Sequence, residues 1–321
     1  MMGRMTHRIN HRRGATIVEL MVALTVGMLV LLMAAGMLVS ANAAYAAQVE
    51  AAALDDAGRF ALEIITRAAR QGGFVNWERE EAGADPGAAP AHVTGLDART
   101  LARATEGIDG PLGDAVNGSD VLALRFAGAG LGANGDGSVV DCAGFGVGRH
   151  EEGWSIFYVA RNATGEAELR CKYRGNSNWS ADAIVAGIDS FQVLYGLDTD
   201  SPPDGVANEY VSAGVLDERD AALVLAAFEP AARERERLRR THWKRVTSIR
   251  VALVIHGQRR GLSGFDPIVF ELFGRAYSDA AAGFDPGVRL DEAQMPDEVR
   301  GRARRMFAST VLLRNPSGQA Q

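Results

Sequence analysis

"HRRGATIVELMVALTVGMLVLLMAAGMLV", residues 11–39, decides the architecture of the chain. From Leu20 to Val39 no side chain is charged, a length that matches the roughly 20 apolar residues a bilayer-spanning helix needs. Glu19 stands at the head of this run, where an acid costs on the order of 2.5–3.5 kcal/mol to insert. The residues before it are basic, with Arg4, Arg8, Arg12 and Arg13 and no acid. Flanking Lys and Arg stay on the cytoplasmic side, so residues 40 onward are expected outside. Without the first fourteen residues the chain carries 30 basic against 40 acidic side chains, a net −10 in place of −6. So acidic a body argues against nucleic acid as a partner.

Three readings of this start compete. A secretory signal would have the same basic leader, and "SANAAYAAQ" (40–48) offers small-residue cleavage sites, but its apolar region runs only 7–15 residues. A plain anchor on an exported binding domain leaves Glu19 unexplained. The third reading uses every residue: "RRGATIVELMVAL" resembles the prepilin signal of type IV pilins and type II secretion pseudopilins. The resemblance implies that the prepilin peptidase cuts between Gly14 and Ala15 and that Ala15, where the family usually has Phe, is N-methylated. It makes Glu19 the fifth residue of the mature chain and implies an assembly contact with the α-amino group of a neighbouring subunit. The positive end of the helix dipole lowers the cost of the carboxylate, and solvation at the headgroup level is the plainer alternative.

The helix is predicted to continue past the membrane. Ala41 to Gln71 lacks proline, and Val49, Ala53, Ala57, Phe60, Ile64 and Ala68 recur at spacings of three and four as one apolar stripe. Arg67 and Arg70 suit the negative pole, and Gly72-Gly73 supplies a stop. Unbroken from Ala15 to Gln71, such a helix would be about 85 Å long.

"LDDAGRFALEIITRAARQGGF" (54–74) resembles the PilW group of minor pilins, through Gly58, Arg59, Phe60, Ala61, Leu62 and Glu63, then Gln71, Gly73 and Phe74. "GIDSFQVLYGLDTD" (187–200), "NEYV" (208–211), "VTSIRVALVIHG" (246–257) and "RARRMFASTVLLRNP" (302–316) resemble later blocks of the same group, in the same order. The resemblance implies a type IV pilin-like α+β fold, a long N-terminal helix packed on an antiparallel β-sheet. Its segments would be a leader (1–14), a helix (15–73, about 15–40 in the membrane) and a β-rich body (74–321). The implied role is to prime pilus assembly and enter the filament near its tip, serving twitching motility, adhesion and DNA uptake. The implied partners are other minor pilins, the major pilin, the prepilin peptidase, the inner-membrane assembly platform and, before assembly, membrane lipid. The chain would wait in the inner membrane with its body in the periplasm and end in a pilus on the cell surface. A type II secretion pseudopilin of the J type is the alternative within this class.

The residues of the body point to β structure on their own. Apolar or alternating β-forming runs lie at 120–126, 154–160, 167–173, 188–195, 246–256 and 306–313, separated by Gly, Asn, Asp and Pro clusters. Residues 78–118 and 258–300 lack periodicity and read as loops, and the repeated "GFDP" (264–267, 283–286) reads as a recurring turn. Cys142 and Cys171 both lie in the exported part, where an oxidising compartment lets them pair as a disulfide. Two cysteines without nearby His make no closed zinc site.

Other motifs carry less. Gly130, Gly132 and Gly135 in "GAGLGANG" have dinucleotide-loop spacing, yet turn residues follow where a helix is required. Asp198, Asp200 and Asp204 in "DTDSPPDG" crowd together as in calcium loops, but Pro202 takes the third ligand position and the sixth residue is not Gly. A solvated turn is the default there, so calcium is a minor candidate, and no other cofactor is expected. "EPAARERERLRRTHWKR" (229–245) reads as a solvated helix laced with weak Glu–Arg pairs. The six His residues stand apart, with no metalloprotease, hydrolase or phosphate-loop pattern, and no enzyme is expected.

Overall fold

The computed structural model describes residues 14, 16–76, 86–175, 177–260, 266–297 and 299–315. The chain forms two units, Met1–Glu50 and Ala51–Gln321. Helix α1 (Ile17–Gln71) begins in the first and ends in the second, and it is long and apolar enough to cross a membrane. Within the first unit its large apolar side chains from Ile17 to Val39 are 54–78% exposed.

Within the second unit α1 buries Leu54, Gly58, Ala61, Ile65, Ala68 and Ala69. This stripe keeps the spacing read from the sequence but is rotated about one residue from it. Phe60, expected in the stripe, is 51% exposed, whereas Ala61 beside it is fully covered. The cause is close approach, since small residues admit the strands. A Cβ on Gly58 would stand 2.3–2.4 Å from the Phe307 ring, which fills that space. The helix ends at Gln71, where the Gly pair predicts, with Gly73 at φ +72°.

The body is a mixed α+β assembly. Strands β1 (Val93–Leu96), β2 (Val121–Ala127), β3 (Glu152–Arg161), β4 (Ala167–Arg174) and β5 (Trp179–Ala186) form one antiparallel sheet in chain order. Next come β6 (Ile188–Leu197), β7 (Glu209–Val211), α2 (Ala213–Ala221), α3 (Pro230–Arg240) and β8 (Val246–Arg260). They are followed by β9 (Val269–Glu271), α4 (Arg275–Ala281), β10 (Arg289–Asp291) and β11 (Arg302–Leu312). A second antiparallel sheet has the order β11-β8-β6-β7, and β9 and β10 pair as a short ribbon. The chain passes between the large sheets at one residue, Gly187. Its N–H donates to Ala167 O in the first sheet and its carbonyl accepts from His256 N–H in the second, both at 2.8 Å. Its φ of +79° is open to Gly at no steric cost.

The six strands read from the sequence are β2, β3, β4, β6, β8 and β11, but they form two sheets where one was expected. Both are covered on both faces. Leu122 and Leu124 of β2 join α1 in the main core, while Val121 and Ala123 pack under Leu101 on the opposite face. Val251, Leu253 and Ile255 of β8 face the same main core, and Ala252 and Val254 lie under Leu272, Leu290 and Met295. The segments read as loops at 78–118 and 258–300 therefore supply covers, with β1, β9, α4 and β10 inside them. Each fully buried large apolar side chain contributes about 1.5–3 kcal/mol, which offsets part of the cost of ordering these low-periodicity segments.

Candidate functional site

The first turn of α1 is closed by a reciprocal pair. Thr16 N–H donates to Glu19 Oε2 at 3.3 Å, and Glu19 N–H donates to the Thr16 hydroxyl at 3.2 Å. This is a capping box, in which two otherwise orphan amides gain side-chain acceptors. Its Thr-x-x-Glu spacing is legible in "TIVE" as a cap, beside the assembly contact and the headgroup solvation expected for Glu19. Glu19 is exposed, and its partner here is a neutral amide rather than a cation. Gly14 is exposed, with open space where a Cβ would stand. Ala15 and the four leading arginines lie outside the described residues.

The far end of α1 is fixed to the body by the residues that carried the family resemblance. Gln71 Nε2 donates to Val140 O at 2.7 Å, Gly73 N–H to Arg125 O at 2.8 Å, and Ala127 N–H to Phe74 O at 2.8 Å. Gly73 cannot carry a side chain, because a Cβ would meet Asn315 O at 2.3 Å. Asn315 in turn donates from Nδ2 to Gly72 O at 3.3 Å. Gly58 seats Phe307 of β11, and Asp55 pairs with Arg305 of the same strand. An open groove beside this face is lined by Arg59, Arg67, Arg70 and Arg314, with Leu62 and Phe74 as apolar surface.

Cys142 and Cys171 are bonded, with Cα atoms 5.8 Å apart. The bridge ties the turn-rich stretch between β2 and β3 to β4. Gly130, Gly132 and Gly135 lie in that stretch, all at positive φ, in a turn that bonds back on itself from Arg149 N–H to Gly130 O at 2.9 Å. A dinucleotide loop would run into a helix, and β3 follows instead.

Asp198, Asp200 and Asp204 do lie together, but their oxygens serve the loop itself. Asp198 accepts from the Asp200 and Gly205 amides at 3.1 and 2.6 Å, Asp204 from Val206 N–H at 2.8 Å, and Asp200 from Asn208 at 3.1 Å. The basic run forms α3 with no buried residue, capped by Glu229 and laced by Glu234–Arg237 at 2.7 Å and Glu236–Arg240 at 3.1 Å.

The sequence reading missed a buried ionic cluster. His256 lies between Asp189 at 2.9 Å and Glu166 at 2.6 Å, and Arg304 reaches Asp189 at 2.7 Å and Glu292 at 2.6 Å. It joins the two sheets to the cover. No spacing in the sequence brings these residues together, so only the fold reveals it.

Residues 156–315 match the family described as type IV pilus-assembly protein W, and residues 9–35 match the prokaryotic N-terminal methylation motif. No curated protein matches the chain. Among solved structures a type IV-like pilin from Thermus thermophilus is similar, at 12% identity and a TM-score of 0.37 over 82% of this chain and 96% of that one.

Proposed function

The chain belongs to the PilW-type minor pilins, and from that premise we propose that it is a filament-priming subunit stored in the inner membrane until assembly. The prepilin peptidase cuts between Gly14 and Ala15, Ala15 is N-methylated, and the body waits in the periplasm. The chain then joins other minor pilins and the major pilin at the assembly platform and ends near the tip of a surface pilus. In that position it serves twitching motility and adhesion, and DNA uptake by the pilus would not need this acidic body to bind the nucleic acid.

The observation that carries this reading is the partner of Glu19. Its carboxylate heads a run of exposed apolar side chains and, among the described residues, is held by the amide of Thr16. The capping bond is already charge-assisted through the carboxylate, but a neighbour's protonated terminal amine would add an opposite full charge, which the Thr16 amide lacks. A neighbour's terminal amine is thus a better partner than the one Glu19 has, and the local cap lowers the cost of waiting in the bilayer for it.

Mass spectrometry of the mature N-terminus tests the processing step. A methylated Ala15 start supports the reading, while a start at positions 42–48, or an uncut chain, sinks it. Glu19→Gln tests the pairing, since the amide oxygen still accepts from Thr16 N–H but carries no charge. We expect the variant to be inserted and cut like the wild type yet to recover partner pilins poorly in a pull-down. Recovery equal to wild type would remove the pairing role.

A further inference from the structure

Three aspartates from separate parts of the body meet in its interior. Asp97 follows β1, Asp120 precedes β2, and Asp285 lies in the second "GFDP" turn, between α4 and β10. One carboxylate oxygen of each lies within 4.8 Å of the corresponding oxygens of the other two. Asp120 and Asp285 are 2% and 1% exposed, and Asp97 is half-buried.

The surrounding backbone holds the group in place. Asp97 accepts from the first two amides of α2, Ala213 and Gly214, at 2.9 and 2.7 Å. Asp120 accepts from Ala98 and Val193 N–H at 3.0 and 2.9 Å, and Asp285 accepts the Tyr277 hydroxyl at 2.8 Å. Asp285 Oδ1 is buried and has no hydrogen-bond partner. The Ser212 hydroxyl, just before the amides that hold Asp97, is also buried without one. Among the described residues no Lys, Arg or His pairs with any of the three carboxylates.

Three carboxylates so placed repel one another, two of them out of reach of bulk water, and the charge is met by protons or by a cation. A shared proton bridges two oxygens, not three. A cation serves all three at once, and three oxygens about 2.3–2.6 Å from one calcium ion lie roughly 4.0–4.5 Å apart when spread evenly around it, within the 4.8 Å that bounds the three here.

We propose that Asp97, Asp120 and Asp285 form a buried divalent-cation site whose hard oxygen donors suit calcium. The bound ion ties the cover that carries α4 and β10 to the first sheet and to the start of α2. The site is distinct from the Asp198 loop, where Asp200 and Asp204 are exposed to solvent, and it does not depend on the filament role.

The test uses the full-length protein in detergent, stripped with a chelator. With calcium at about 100 times its dissociation constant, the unfolding midpoint followed by tryptophan fluorescence should rise by about 5–10 °C. The rise should persist in Asp198→Ala/Asp200→Ala and vanish in Asp285→Asn. Terbium should give tyrosine-sensitised emission, from Tyr277 beside Asp285, that calcium displaces and Asp285→Asn abolishes. If Asp285→Asn does not fold, Asp97→Asn replaces it, with the same loss expected. No calcium shift in the wild type overturns the proposal, as does a shift that survives Asp285→Asn or is lost in the Asp198 loop variant.

Discussion

Gly58→Ala separates two forces on α1 that act in opposite directions. Ala is about 1 kcal/mol better than Gly in a helix interior, so on propensity alone the substitution stabilises. The added Cβ, however, would stand 2.3–2.4 Å from three carbons of the Phe307 ring, where ordinary carbon contacts begin near 3.5 Å. The ring must move by more than 1 Å, and such overpacking typically costs about 1–3 kcal/mol. Phe307 is only half-buried, so the ring has somewhere to go and the net loss should be roughly 1 kcal/mol. In a Phe307→Ala background the obstacle is gone, and Gly58→Ala should stabilise by up to about 1 kcal/mol. The expected result is a change of sign between backgrounds, with a coupling of about 1–3 kcal/mol. Urea unfolding of the full chain in detergent measures it. None of the four tryptophans lies in the apolar segment, so their fluorescence follows the body. If Gly58→Ala stabilises the wild type by the full propensity gain, the close approach of ring and helix is wrong.

Replacing both Cys142 and Cys171 by Ala opens a loop whose ends are 29 residues apart, which should cost about 3–4 kcal/mol on the chain-entropy relation. A loss below about 1 kcal/mol in denaturant would show that the bridge constrains little. Asp141 is 4% exposed, and burial raises its carboxyl to about 6, above the roughly 3.9 of an unfolded chain. The folded state therefore holds more protons between about pH 4 and 6, and the contribution of Asp141 to stability falls as pH rises through that window. Asp141→Asn keeps the Oδ1 that accepts from Ala143 and Phe145 at 2.9 and 3.0 Å but removes the charge. Its stability relative to wild type should grow from pH 4 to 7 by on the order of 1–3 kcal/mol, and parallel stability curves would refute the assignment.

Periodicity predicted the elements whose burial is one-sided or continuous. β6 is buried at all ten positions and β8 through most of its length, so their apolar runs could be read directly. β5 could not, because "WSADAIVA" is an edge strand of alternating alanine, aspartate and serine with a ragged burial pattern. The α1 stripe was readable in spacing but not in phase. A glycine in a helix gives no apolar signal, yet Gly58 is where the helix is most closely approached. The covers at 86–118 and 266–297 were unreadable as structure because few of their apolar side chains repeat at any fixed interval. Val116, Leu272 and Leu290 are buried by where the turns place them.

The same distinction bears on the two acidic groups. Asp198, Asp200 and Asp204 were legible because they crowd into seven residues, and that crowding lets a turn absorb their oxygens. Asp97, Asp120 and Asp285 gave no signal, because they come from three segments, and they differ from the loop in burial, with Asp285 Oδ1 left covered and without a donor. Proximity in sequence therefore pointed to the group with less need of a cation. The match to the PilW family begins at residue 156, so Asp97 and Asp120 fall before it and only Asp285 falls inside. A calcium requirement would thus not follow from family membership. It would belong to the way this chain folds its first cover against its last, and must be measured on this protein.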